Sequence, residues 1–179
     1  MKKVVIISTS LRANSNSDAM AKAFGEGAKS AGHEVSLISL AGKKIDFCRG
    51  CLACLKLGEC VIKDDAIAIA EQVLEADVVV WATPIYYFEM SGQMKTLIDR
   101  MNSLYAKDFK FREVYLLSAA ADDEEGVDEK AIGGVQGWID CFKGVELKGT
   151  LFCGGVTDPG EIAGNKALED AFQMGADLC

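Results

Sequence analysis

The chain has 179 residues, half of them hydrophobic and only two of them proline, with a net charge of −8. That length suits one domain with one sizeable core, and no stretch approaches the roughly 18 apolar residues that a membrane span needs. The acidic balance argues against nucleic acid, whose binding rests on Lys and Arg, and reads most simply as an anionic soluble surface.

The opening Met1-Lys2-Lys3-Val4-Val5-Ile6-Ile7 carries too short an apolar run for a signal peptide and leads straight into a polar loop. It is read as a first strand, and a cytoplasmic location is expected. Short Val-, Ile- and Leu-rich runs predict buried strands at Val4–Ile7, Val35–Ile38, Val78–Ala82, Val114–Leu117 and Leu151–Cys153. Helical patterns fall between and after them, over 16–31, 64–76, 91–104, 128–143 and 161–177. Asn16 or Ser17 can cap the first helix and Asp64 the second. The acidic run Asp122-Asp123-Glu124-Glu125 reads as a solvated loop. This βα alternation predicts a three-layer α/β sandwich: a five-stranded parallel sheet of order 2-1-3-4-5 with helices on both faces, in a single domain over 1–179. One long connection, 39–63, stands out, with a cysteine-rich loop at 46–62.

After the first strand comes Ser8-Thr9-Ser10-Leu11-Arg12-Ala13-Asn14-Ser15-Asn16-Ser17, rich in hydroxyls and amides, with Arg12 its one full positive charge. A loop between a strand end and a helix start suits an anion, because the helix start offers unpaired N–H groups and partial positive charge. The other reading is an ordinary polar turn with a cap; the position after strand one favours phosphate. Neither a dinucleotide fingerprint nor a P-loop occurs. The third strand runs into Pro84-Ile85-Tyr86-Tyr87-Phe88, placing aromatic rings at a loop tip. In an open sheet of this order, strands one and three flank the crevice beyond their carboxyl ends. The two loops are therefore expected side by side, one for phosphate and one for a flat ring, with Phe88 and Met90 serving equally well as packing.

Ser10-x-Arg12-x-x-Ser15-x-Ser17, Pro84-Ile85-Tyr86-Tyr87 and Gly92-Gln93-Met94-Lys95-x-x-x-Asp99-Arg100 together resemble the NAD(P)H-dependent FMN reductase branch of the flavodoxin superfamily, over about residues 1–105. The resemblance implies that Ser10, Arg12, Ser15, Asn16 and Ser17 surround an FMN phosphate. It implies that Pro84, Ile85, Tyr86, Tyr87 and Phe88 border the isoalloxazine, and that a third loop near Ala119–Asp122, with Ala119 and Ala120, closes the far side. Thr9 departs from the glycine of many members, and Lys95, Asp99 and Arg100 read as structural. A homodimer or homotetramer is also implied.

Cys48-x2-Cys51-x2-Cys54-x5-Cys60 places four thiols within thirteen residues. Without an export signal, clustered cysteines point to metal or redox chemistry rather than structural disulfides. The spacing is similar to the compact motif of the iron–sulfur flavoproteins, which implies a [4Fe–4S] cluster held by Cys48, Cys51, Cys54 and Cys60. Zinc, which normally takes two knuckles across a longer gap, and four free thiols are the alternatives. Core packing is expected for Cys141 and Cys153, and exposure for Cys179. The single histidine, His33, falls before strand two, away from the crevice, and no nucleophile elbow is present, so triad hydrolysis is not expected. The expected activity is transfer of electrons from NAD(P)H or a ferredoxin-like donor to a small acceptor such as a quinone or flavin. A flavodoxin-type carrier without its own substrate, or a cysteine-based redox or metal module, is the alternative.

Overall fold

The computed structural model describes residues 1–179. Along the chain it places β1 (Lys3–Ser8), α1 (Asn16–Ser30), β2 (Glu34–Ser39), α2 (Ala53–Leu57), α3 (Asp65–Glu75), β3 (Val78–Tyr86), β4 (Glu89–Met90), α4 (Gly92–Asp99), β5 (Glu113–Ala119), α5 (Glu129–Ile139), β6 (Glu146–Cys153) and α6 (Lys166–Ala176). A 3-10 segment, Arg100–Ala106, continues α4. Five strands pair in parallel in the order β2-β1-β3-β5-β6, and β4 is a two-residue arm paired antiparallel to the end of β3. Leaving that arm uncounted, the order is the 2-1-3-4-5 expected from the sequence.

β3 lies at the centre, and Val78 through Ala82 are fully buried. Successive side chains of a strand point to opposite faces. Val79 and Trp81 accordingly join the core under α3, α4 and α5, whereas Val78, Val80 and Ala82 join the one under α1 and α6. No helix is long and apolar enough to cross a membrane.

Several boundaries differ from expectation for identifiable reasons. The last helix begins at Lys166 rather than 161, because Gly160 and Gly164 hold positive φ and Asn165 supplies the cap, its side chain accepting from the Ala167 N–H. The helix expected over 91–104 changes to 3-10 winding after Asp99. β6 starts five residues earlier than Leu151, at Glu146, because an edge strand alternates polar and apolar residues instead of running purely apolar. α5 ends at Ile139, so Cys141 lies exposed just beyond it rather than in the core; Cys153 is buried and Cys179 exposed, as expected.

α1 and α6 cross with their backbones almost touching. A Cβ on Gly27 would lie 1.9 Å from the Phe172 carbonyl oxygen, and one on Gly175 would lie 2.1 Å from that of Phe24. The opposing atoms are backbone, so neither helix can yield locally. Gly175→Ala is therefore expected to lower stability by about 1–3 kcal/mol or more. Gly137→Ala, on an exposed turn of α5 with open space around it, should raise stability by up to about 1 kcal/mol. Urea unfolding of the two variants checks this, and equal effects would contradict the crossing.

Candidate functional site

The carboxyl ends of β1, β3, β5 and β6 open onto one cavity of about 170 Å³. Ser10, Arg12, Ser15, Asn16 and Ser17 contribute from the β1 loop, and Pro84, Ile85 and Tyr86 from the end of β3. Ala119, Ala120 and Ala121 come from the end of β5, and Val156, Thr157 and Pro159 from the loop after β6. The first three groups are those expected from the sequence. The fourth was missed, although Gly154-Gly155 and Asp158-Pro159-Gly160 mark turns directly after the last expected strand.

Hydrogen bonds set the shape of this cavity. Thr9 Oγ1 donates to the Ala82 carbonyl (3.0 Å) and lies 3.1 Å from Ser91 Oγ, joining the β1 loop to β3 and the start of α4. Arg12 Nη1 donates to the Thr157 carbonyl (2.9 Å). Asn16 Nδ2 donates to the Asp158 carbonyl (3.1 Å), and its Oδ1 accepts from the Ile162 N–H (3.2 Å). The Asn16 side chain is thus occupied in tying α1 to the β6 loop. That loop is shaped by Glu161, whose carboxylate accepts from the N–H groups of Asp158 and Thr157, which hold its pKa below the usual range. Gly154 lets the loop pass against the segment that follows β5: a Cβ there would sit 2.5 Å from the Asp123 Cα.

Within this frame a few donors are left over. Ser15 Oγ caps α1 by accepting from the Asp18 N–H (3.2 Å), and Ser10 Oγ accepts from the Arg12 N–H (3.3 Å). Ser17 Oγ is buried without any partner, and the N–H groups of Asn16 and Ser17, in the first helical turn, donate to no protein acceptor. A buried hydroxyl, two free amides and the positive end of a helix dipole, with Arg12 at the rim, fit an anion such as phosphate.

Tyr87 and Phe88 stand outside the lining. They form the two-residue turn between β3 and β4, with φ of 52° and 64°. Left-handed backbone at two consecutive positions is what a tight hairpin turn of this type requires, usually from Asn and Gly, and for these side chains it is strained. Tyr87 is 98% exposed, and the Phe88 ring lies 5.7 Å from Lys130 Nζ. A larger hollow of about 420 Å³ is bounded by Leu11, Leu40, Lys43, Ile45, Phe47 and the first turns of α4.

The four clustered cysteines share one loop, where α2 adds a short helix that the sequence did not announce. Cys48 and Cys51 are exposed, Cys54 is buried and Cys60 is half-buried; all are free thiols. Burial pushes the Cys54 thiol up, and the neighbouring Cys60 adds to this, followed by Cys48 and Cys51. No three His, Cys, Asp or Glu side chains converge closely enough to hold a metal ion. The donor set is that of a thiolate-bound metal group, whereas the sulfurs stand apart.

The base of this loop is fixed by Arg100 and Asp64, whose side chains are 0% and 1% exposed. Arg100 Nη1 and Nη2 donate to the two Asp64 oxygens at 2.6 and 2.9 Å. The same nitrogens donate to the carbonyls of Asp46 (2.7 Å) and Ile62 (3.0 Å), one at each end of the loop. Asp64 also caps α3, accepting from the Ala66 N–H (3.1 Å), and accepts from the Asp46 N–H (2.8 Å). Lys95 pairs with Asp99 along exposed α4 (2.6 Å). His33 lies before β2, away from the cavity, accepting from the Lys2 N–H (3.0 Å).

This architecture, with its cavity beyond the strand ends, defines a flavodoxin-like α/β protein. Residues 2–131 match the model of the NADPH-dependent FMN reductase family. An iron–sulfur flavoprotein of Methanosarcina thermophila is 30% identical over 173 residues, covering 96% of this chain and 87% of that protein. One from Archaeoglobus fulgidus is 41% identical over 99 residues, 55% of this chain and 45% of its own. The chain spans about half the length of several such relatives. In fold, it superposes on an NAD(P)H:quinone oxidoreductase from Methanothermobacter marburgensis with a TM-score of 0.74 at 18% identity, over 99% of both chains. The chain belongs to the NADPH-dependent FMN reductase family, a family of oxidoreductases that implies FMN and NAD(P)H.

Burial raises the Asp64 pKa, but hydrogen bonds from Arg100, Asp46 and Ala66 outweigh it and hold the carboxyl below its ordinary 3.8. A depressed carboxylate pKa stabilises the fold above the unfolded value and loses that contribution as pH falls through the folded one. Asp64→Ala, which strands a buried guanidinium, should cost about 3–5 kcal/mol at pH 7. The stability gap between the native chain and Asp64→Asn should narrow below pH 3.8; a constant gap in urea titrations from pH 7 to 2.5 would refute this assignment.

Proposed function

We propose that this chain is an FMN-dependent oxidoreductase that moves electrons from NAD(P)H or a ferredoxin-like donor to a small acceptor such as a quinone or free flavin. The observation that carries this reading is the buried, partnerless Ser17 hydroxyl at the start of α1, beside the free N–H groups of Asn16 and Ser17. In this reading Ser10, Arg12, Ser15, Asn16 and Ser17 cradle the phosphate, Asn16 through its backbone. Pro84, Ile85 and Tyr86 border one side of the ring, and Ala119 and Ala120 the other. Tyr87 and Phe88, outside the lining, hold the hairpin that presents Tyr86.

Bound FMN would supply the hydride and electron chemistry, and the protein would supply position, water exclusion and electrostatic tuning. The small Ala119–Ala121 side chains leave room for a flat ring beside β5. Arg12, bonded to the β6 loop, keeps a positive charge at the rim. The neighbouring hollow, with apolar walls and Lys43, suits a small apolar acceptor. Residues 1–179 would act as one FMN-binding unit in the cytoplasm, paired as a homodimer or homotetramer.

The cysteine loop at 46–62 supports a second element, a [4Fe–4S] cluster held by Cys48, Cys51, Cys54 and Cys60. Its support is the donor set, four free thiols in one loop, together with the iron–sulfur flavoprotein relatives. Protein purified without oxygen should contain one FMN per chain, and Ser17→Ala should weaken FMN binding about 10- to 100-fold. About four irons and four sulfides per chain, lost in Cys54→Ser, would support the cluster; flavin without iron would remove it. Steady-state NAD(P)H oxidation separates a reductase from a carrier, and absence of flavin would overturn the whole reading.

A further inference from the structure

The loop after β6 walls the cavity with Val156, Thr157 and Pro159, and one turn sets its shape. Asp158-Pro159-Gly160-Glu161 closes with the Glu161 N–H donating to the Asp158 carbonyl (3.1 Å), and Gly160 holds a φ of 83°. Proline in second place and a left-handed glycine in third is the type II pattern. The turn brings Glu161 back along the loop, where its Oε2 accepts from the N–H groups of Thr157 (2.6 Å) and Asp158 (2.9 Å).

The Asp158 N–H and the Thr157 carbonyl belong to one peptide unit, and in a planar trans unit they point in opposite directions. Glu161 holds the first, and Arg12 Nη1 donates to the second (2.9 Å). The next carbonyl, that of Asp158, takes the Asn16 side chain (3.1 Å). Arg12 and Asn16 both line the cavity, whereas Glu161 is exposed and lies outside the lining. We propose that Glu161 is a positioning residue of the phosphate cradle: by turning the Thr157 and Asp158 peptides, it presents the two carbonyls that hold Arg12 and Asn16 in place. The inference rests on the reading of this cavity as an FMN site and adds a residue that acts on the cradle only through the β6 loop.

Glu161→Ala and Glu161→Gln test it, because both remove the charge and only Gln keeps a side-chain oxygen that can accept. By charge alone, both variants would bind an anion more tightly. In flavin-free protein, amide exchange at Thr157 and Asp158 should rise about fivefold in Glu161→Ala and stay near native in Glu161→Gln. FMN affinity, read by flavin fluorescence, should fall about fivefold in Glu161→Ala and hold in Glu161→Gln. Riboflavin, which lacks the phosphate, should bind all three proteins alike. Unchanged exchange overturns the proposal, as does an FMN affinity that rises or holds in Glu161→Ala. Equal losses of FMN and riboflavin also overturn it, because they mark a collapsed wall rather than a displaced cradle. A native chain that binds no FMN defeats the cofactor reading instead. Inorganic phosphate then replaces FMN as the probe, with the same loss expected in Glu161→Ala and an indifferent affinity overturning the proposal.

Discussion

A parallel sheet can be stable only when both of its faces are covered, and that requirement organises this molecule. Each pair of parallel neighbours needs a crossover, so every strand ends at the same edge and its loop turns there toward a helix. At β1 that turn leads into α1, whose first amides have no backbone acceptor in a helix of any sequence. The cavity is where these obligations meet. Thr9, Ser10, Ser15 and Asn16 satisfy most of the local polar groups, and the remainder, Ser17 Oγ with two amides, is left without a protein partner. The crossing of α1 over α6 at Gly27 and Gly175 fixes the far end of the same helix, so the cradle is held from both ends of α1.

The second polar centre has different physics. Arg100 and Asp64 lie within a mostly apolar layer, where desolvation of two charges is expensive and only complete hydrogen bonding makes it tolerable. The forked pair, two loop carbonyls, and the Asp46 and Ala66 amides come close to that completeness. An ion pair of this kind is weak evidence of stability, because an apolar pair of similar volume could do as well. What an apolar pair could not do is hold two backbone carbonyls sixteen residues apart.

Much of this was legible in the residues. Val-rich runs located every parallel strand because strands covered on both faces must be apolar throughout, and β6 was clipped because an edge strand need not be. Ser10 through Ser17 and Pro84 through Tyr86 were found because turn chemistry and position after a strand are local signals. The β6 loop was missed because its place beside the cavity depends on sheet order and on Gly154 admitting the Asp123 backbone, which no local pattern reveals. Tyr87 and Phe88 read as ring contacts because aromatic residues at a loop tip suggest a ligand; they sit outside the cavity lining, in a turn whose positive φ runs against their own preferences. The partnership of Arg100 with the loop ends spans 38 and 54 residues and left no trace in spacing.

Because both ends of the cysteine loop terminate on one guanidinium, the fifteen residues between Asp46 and Ile62 form a detachable cassette. The entropy of closing such a span grows slowly, and doubling its length adds only about 0.6 kcal/mol. The sheet, the cavity and the clamp take no residue from this span. The frame can therefore keep its sheet and cavity while the content of this loop varies.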